Sequence, residues 1–146
     1  GHGIEASRLI FATRVPRVED HLARYRLADF FLDTYPYNAH TTAADALMSG
    51  IPVVTCMGNA FHARVAGSLV TTAGLGELVT RSLEDYEALA QALCAQPDRV
   101  ARLKAKLREN RPGNPLFDTA GFCRNLETAY ISMWRKYRLG AHADAL

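Results

Sequence analysis

Little in this sequence equips it for disulfide cross-linking, metal binding or membrane crossing. Its three cysteines, Cys56, Cys94 and Cys123, are an odd number with no CxxC spacing. That excludes a disulfide framework and a cysteine zinc site, and fits a reducing, cytoplasmic setting. The five histidines (His2, His21, His40, His62 and His142) contain no HxxxH pair and no acidic neighbour at ligand spacing, so no metal is expected. No apolar run approaches the roughly 20 residues that a membrane helix needs, and no signal-peptide pattern opens the chain. The net charge of +2 comes from 17 Lys and Arg interspersed with 15 Asp and Glu, too weak a field for nucleic-acid binding. The basic cluster at 99–111 reads as a solvated helix face. Neither GxGxxG nor a Walker loop occurs, so no generic nucleotide signature is present.

What is present is an ordinary globular composition, 49% hydrophobic and 22% charged over 146 residues, enough for one domain or slightly less. Through the first half, short apolar runs alternate with helical ones. RLIFA (8–12), FFLDT (30–34) and PVVTC (52–56) read as strands, with LVTTAG (69–74) as a candidate fourth. Between them, helices are expected at 18–29, 41–50 and 61–70, the second stopped by Gly50 and Pro52. Near-continuous apolar strands separated by helices point to an α/β fold, a Rossmann-like parallel sheet covered on both faces. After about residue 80 only helices are expected. Ser82 with Asp85 resembles a capping box, Pro97 opens a second helix, and Thr119 is the expected cap of a long third one. The chain thus divides into an α/β part at 1–80, C-terminal helices at 81–139 and a frayed tail at 140–146. Three or four strands are few for such a sheet, so a first strand and helix are expected upstream, with Gly1 and His2 as a tag remnant.

The stretch FLDTYPYNAHTTAADALMSGIPVVT (31–55) holds the candidate site. Ligands of open α/β sheets sit where loops at the carboxyl ends of strands meet helix N-termini. There the unpaired amides near Thr41, Thr42 and Ala43, two threonine hydroxyls and the positive helix end suit a phosphate or diphosphate. His40 adds a hydrogen bond or, if protonated, a charge. Asp45, one turn deeper, would repel a phosphate but could accept hydrogen bonds from a ribose diol. The alternative is plain: Asn38 or Thr41 is only a cap, Asp45 only complements the dipole, and His40 is a loop residue.

A resemblance carries the reading further. LADFFLDTYPYNAHTTAADALMSGIPVVTCMGNAFHARVAGSLV, together with NPLFDT and YISMWRKY near the end, resembles the C-terminal catalytic half of the O-linked N-acetylglucosaminyltransferases and their SPINDLY-type relatives. These proteins carry tetratricopeptide repeats ahead of a two-lobed GT-B region. The similar segments run in one order: LAD, LDT, N-x-HTT headed by Asn38, an aspartate three residues on, G-x-PVVT and x-RVA-x-SL. The resemblance implies a fold, the C-terminal lobe of GT-B, and an activity, inverting transfer of N-acetylglucosamine from UDP-N-acetylglucosamine to Ser or Thr hydroxyls of proteins, without a metal or other cofactor. It implies that His40, Thr41 and Thr42 contact the diphosphate and stabilise the leaving group, and that Asp45 holds the ribose. Arg17 is the counterpart of a basic residue near the nucleotide, and His21 and Arg24 match positions close to the base and phosphates, unless they form a solvent-facing helix pair. Where the family often reads Pro-Gly-Glu-Thr, this chain has Met57-Gly58-Asn59-Ala60 and lacks the acidic residue. Gly58 either lets backbone approach the sugar or makes a plain turn, and Arg64 either matches the family arginine or anchors its helix to a carboxylate. The acceptor lobe, the repeats and a lysine near the diphosphate are implied upstream, so these residues alone are expected to be inactive. A GDP-fucose donor, as in the SPINDLY branch, and a non-catalytic nucleotide-binding or scaffold domain remain as alternatives. The HTT spacing speaks against an epimerase or phosphorylase lobe.

Overall fold

A computed structural model of the chain describes residues 3–140. The expectations for Gly1 and His2 and for the tail beyond Gly140 lie outside that range. Three parallel strands, β1 (Phe31–Leu32), β2 (Val53–Cys56) and β3 (Val79–Thr80), form a sheet in the order β1-β2-β3. Phe31 pairs with Val53 and Thr55 with Val79. The described residues also form six α-helices: α1 (Val18–Tyr25), α2 (Thr41–Met48), α3 (Val65–Thr72), α4 (Leu83–Cys94), α5 (Pro97–Asn110) and α6 (Thr119–Arg138). The Rossmann-like expectation therefore holds.

Every residue of β2 is buried, as a central strand covered on both faces must be, and that is why it reads as an unbroken apolar run. Around it α2 buries Ala43, Ala46 and Leu47, α3 buries Ala66 and Val70, and α5 buries Val100, Leu103 and Leu107. Each set follows helical spacing and each large side chain contributes about 1.5–3 kcal/mol on burial. A Cβ on Gly67 would collide with the Met57 side chain, so this glycine lets the residue after β2 lie on α3. Helix α2 ends where Gly50 takes φ 82° and Ile51 N–H donates to the Ala46 carbonyl at 2.9 Å, a left-handed C-terminal turn that glycine permits. Three side chains following α5 or closing it serve other helix ends. Arg111 donates to the Met48 carbonyl, Asn110 to Ala73 and Asn114 to Thr72, satisfying carbonyls that the helices cannot pair internally.

Several boundaries differ from expectation. RLIFA is not a strand: Ile10 and Phe11 are 89% and 88% exposed, and without a neighbouring strand an apolar run has no ladder to join. LVTTAG closes α3 instead of forming a strand, because the Thr71 and Thr72 hydroxyls bond back to the Gly67 and Ser68 carbonyls and Gly74 turns the chain at φ 83°. The third strand lies further on, in β3. The helix expected at 61–70 is split into a 3₁₀ turn at Phe61–Ala63 followed by α3. Helix α1 stops at Tyr25, its exit tightened by i to i−3 bonds from Leu27 and Ala28. Asp118, not Thr119, caps α6, accepting from Gly121 N–H at 2.8 Å; a carboxylate one residue earlier outcompetes the hydroxyl. Ser82 does cap α4, accepting from Asp85 N–H at 3.1 Å, and Pro97 does open α5.

Lys106 of α5 pairs with Glu77, in the turn leading to β3, at 2.6 Å. Burial pushes the Glu77 carboxyl up, but hydrogen bonds from Lys106 and its own backbone, with the charges of Lys106 and Arg99, outweigh it and hold it below the ordinary value. A carboxyl lowered in the folded state stabilises the fold above its unfolded pKa, and that contribution is lost as pH falls through the folded pKa. Glu77→Gln should therefore unfold at lower denaturant than the parent at neutral pH, and the difference should close in acid.

Candidate functional site

The loop from Thr34 to Ala39 joins β1 to α2, and one buried carboxylate organises it. Asp33 Oδ1 accepts from Thr34 N–H at 2.8 Å and Ala39 N–H at 2.7 Å, while Oδ2 accepts the Thr55 hydroxyl of β2 at 2.6 Å. From α4, the Tyr86 hydroxyl donates to the Asp33 carbonyl at 2.8 Å. Burial, then the charges of Asp33 and Cys56, raise the Tyr86 pKa. Asn38, also buried, donates to the Thr34 and Cys56 carbonyls, and its own N–H reaches the His62 carbonyl at 3.0 Å. The loop is thus tied to β2 and to the turn after it, which fixes where α2 begins.

Helix α2 opens with His40 as N-cap, whose side chain caps no amide. The first helical bond runs from Ala44 N–H to the His40 carbonyl at 3.1 Å, so the amides of Thr41, Thr42 and Ala43 precede the internal ladder. The Thr41 and Thr42 side chains are exposed. Two buried side-chain atoms lack a hydrogen-bond partner among the described residues, Asn38 Oδ1 and His40 Nε2. Both belong to this helix mouth.

The expected site residues fall into two groups, with Arg17 and Gly58 outside both. Asn38, His40, Thr41 and Thr42 form the mouth. His21 and Asp45 meet along the seam of α1 and α2, His21 Nε2 lying 3.9 Å from Asp45 Oδ2. Tyr25 shares that seam, its hydroxyl 3.5 Å from the Thr42 carbonyl. Its pKa is raised by burial and then by the Asp45 charge, against a lowering by the charge of Arg24, which follows His21 by three residues in α1 and so lies beside it on that helix. Arg17 stands apart, exposed on the N-terminal side of α1 and 3.5 Å from Glu19. Gly58 follows β2, where a Cβ would lie 2.8 Å from Ala63 Cβ and 3.4 Å from the Tyr35 ring. Its close approach is therefore to the chain itself. Arg64 donates to the Gly58 carbonyl at 3.2 Å, fastening that turn without a carboxylate. Among the described residues, no three His, Cys, Asp or Glu side chains gather as a metal-binding group, and no helix is long and apolar enough to cross a membrane. A separate apolar hollow of about 780 Å³, lined by Leu32 of β1 and by Leu83, Tyr86 and Cys94 of α4, contains none of the expected site residues.

Asp33, Thr55 and Tyr86 organise the mouth, though none of them carries a motif of its own in the sequence. An aspartate ending an apolar strand, as in FFLDT, was the available signal.

Known proteins resemble this chain in sequence and fold. A family model described as glycosyl transferase family 41 matches residues 1–126. A Petunia hybrida protein named probable UDP-N-acetylglucosamine-peptide N-acetylglucosaminyltransferase SPINDLY is 40% identical over 92% of this chain, and an Arabidopsis thaliana counterpart named SEC is 39% identical over 94%. The chain spans 14% of the length of each. A solved Thermobaculum terrenum O-GlcNAc transferase, the K341M mutant, superposes with a TM-score of 0.81 at 40% identity, over 92% of this chain and 26% of that one. Three parallel strands with flanking helices are thus the fold of the C-terminal lobe of a GT-B transferase, and the chain belongs to glycosyl transferase family 41.

Proposed function

We propose that this chain is the donor-binding lobe of a protein O-glycosyltransferase that moves N-acetylglucosamine from UDP-N-acetylglucosamine to Ser or Thr hydroxyls with inversion. The observation that carries this reading is the mouth of α2, where unladdered amides and exposed threonines adjoin two buried, unpartnered polar atoms. Buried polar atoms ordinarily find partners, and this set suits a bound anion with hydroxyl groups beside it. His40 Nε2 would serve as donor and Asn38 Oδ1 as acceptor. The seam of His21, Arg24 and Asp45 borders the same helix and offers both charge signs for ribose and base, and Arg17 contributes from further out on α1. The names of the relatives support N-acetylglucosamine as the sugar and UDP as its carrier.

In this reading the acceptor oxygen attacks the anomeric carbon as the bond from that carbon to the diphosphate oxygen breaks. UDP leaves with the electron pair, and the hydroxyl proton passes to a base that these residues do not supply. Charge grows on the departing diphosphate, and fixed dipoles aimed at it stabilise the transition state more than the ground state. The helix end and His40, Thr41 and Thr42 provide those dipoles, with no cofactor needed. The protein acceptor binds through an upstream lobe and tetratricopeptide repeats, in a cytoplasmic setting.

In the complete protein carrying this chain, His40→Ala and Thr41→Ala should each lower the transfer rate about 10²-fold, as loss of one oxyanion donor does, with melting temperature preserved. Asp45→Asn should raise the donor KM more than it lowers kcat. Full activity in the His40 and Thr41 variants would contradict the assignment. Transfer of fucose from GDP-fucose in place of N-acetylglucosamine would redirect it to the alternative donor, and folded protein without any transfer would favour a scaffold.

A further inference from the structure

No hydrogen bond among the described residues orients the His40 ring; aromatic contacts do. Tyr37 stacks on His40 with centroids 5.3 Å apart and planes 19° from parallel, and on His62 at 5.1 Å and 11°. Phe61 meets His40 edge-on at 6.3 Å. Tyr37 comes from the loop after β1, whereas Phe61 and His62 come from the 3₁₀ turn after β2. The backbone joins the same two segments, through Asn38 N–H to the His62 carbonyl. Tyr37 is 62% exposed, so its burial stabilises little, and a large ring left in water at a helix mouth calls for another role. Its loop is fixed through the backbone, the Tyr37 carbonyl accepting the Thr34 hydroxyl at 2.6 Å, which leaves the ring itself free to serve as a contact face.

We propose that Tyr37 is the positioning residue for His40: its ring, backed by His62, holds the imidazole at the mouth of α2. The inference rests on reading that mouth as the diphosphate site. A histidine without a hydrogen-bonded orienting partner samples several rotamers, and each wrong one takes its donor away from the anion. Stacking on a flat ring restricts those rotamers while leaving the ring nitrogens uncommitted. The loop after β1 and the turn after β2 then set one orientation together, and the departure at Met57 to Ala60 is followed by Phe61, which meets His40 edge-on, and by His62, which backs Tyr37.

Two measurements test this. In carbon-resolved NMR spectra of the free chain, the His40 ring protons should move on Tyr37→Leu and stay near their parent positions in Tyr37→Phe, which keeps the ring face. By calorimetry with UDP, Tyr37→Leu should weaken binding about five-fold, in the range of one aromatic pair, and Tyr37→Phe by less than about two-fold. In a His40→Ala background, Tyr37→Leu should have no further effect, because its action passes through the imidazole. A loss due only to general destabilisation would persist in that background. Unmoved His40 protons, or an undiminished Tyr37 effect without His40, overturn the proposal. Absence of UDP binding to the parent chain overturns the diphosphate reading and with it the role of Tyr37, while the ring shifts alone still decide whether the stack exists.

Discussion

The carboxylate of Asp33 is the constraint on which the candidate site depends. It is 7% exposed, at the end of a strand with only two laddered residues, and it binds two amides of its own loop and a hydroxyl of the neighbouring strand. A buried charge is tolerated only when hydrogen bonds replace its water. Satisfying Asp33 therefore requires the loop to curl back and β2 to present Thr55 at that level. The curl delivers Asn38 into the interior and His40 to the first turn of α2. A structural demand thus places the groups that the proposed chemistry uses.

The remainder of the fold holds α2 and α3 in register with β2. Their C-terminal carbonyls are met by Asn110, Arg111 and Asn114, so the end of α5 and the segment after it act as a clasp across two helix ends. Leu116 and Phe117 then pack against the core, and Arg111 lies over the Phe117 ring at 5.3 Å. This accounts physically for NPLFDT: it packs on the core and helps to fix the C-terminal ends of α2 and α3, opposite their mouths. Rigid placement matters because preorganised dipoles stabilise developing charge without reorganising at the moment of reaction.

Much of this was legible in sequence where local and tertiary demands agree. The all-apolar β2, the glycine stop after α2, the Ser82 cap and Pro97 at a helix start each follow from a local rule that packing reinforces. The rest depended on partners that a sequence does not display. RLIFA has every local mark of a strand, but a strand exists only as half of a pair. Thr71 and Thr72 are β-branched and read as extended, yet their hydroxyls bond to carbonyls one turn back. β3 is two residues long and earns its assignment from Thr55 and Cys56 beside it, not from its own pattern. Within the site, HTT and Asp45 stood out as chemistry at a helix start. Tyr37, Asp33 and Tyr86 did not, because an aromatic in a loop or an aspartate after a strand gains meaning only from what lies across from it.

The most direct test of the central claim is an amide-resolved NMR titration of this chain with UDP, with GDP as a parallel sample. The account predicts saturable shifts concentrated from Asn38 to Asp45, strongest at Thr41 to Ala43, with UDP the tighter ligand. Saturable shifts confined to another surface, such as the apolar hollow beside Leu32 and Tyr86, or no shift at the mouth of α2 at millimolar UDP, would contradict it.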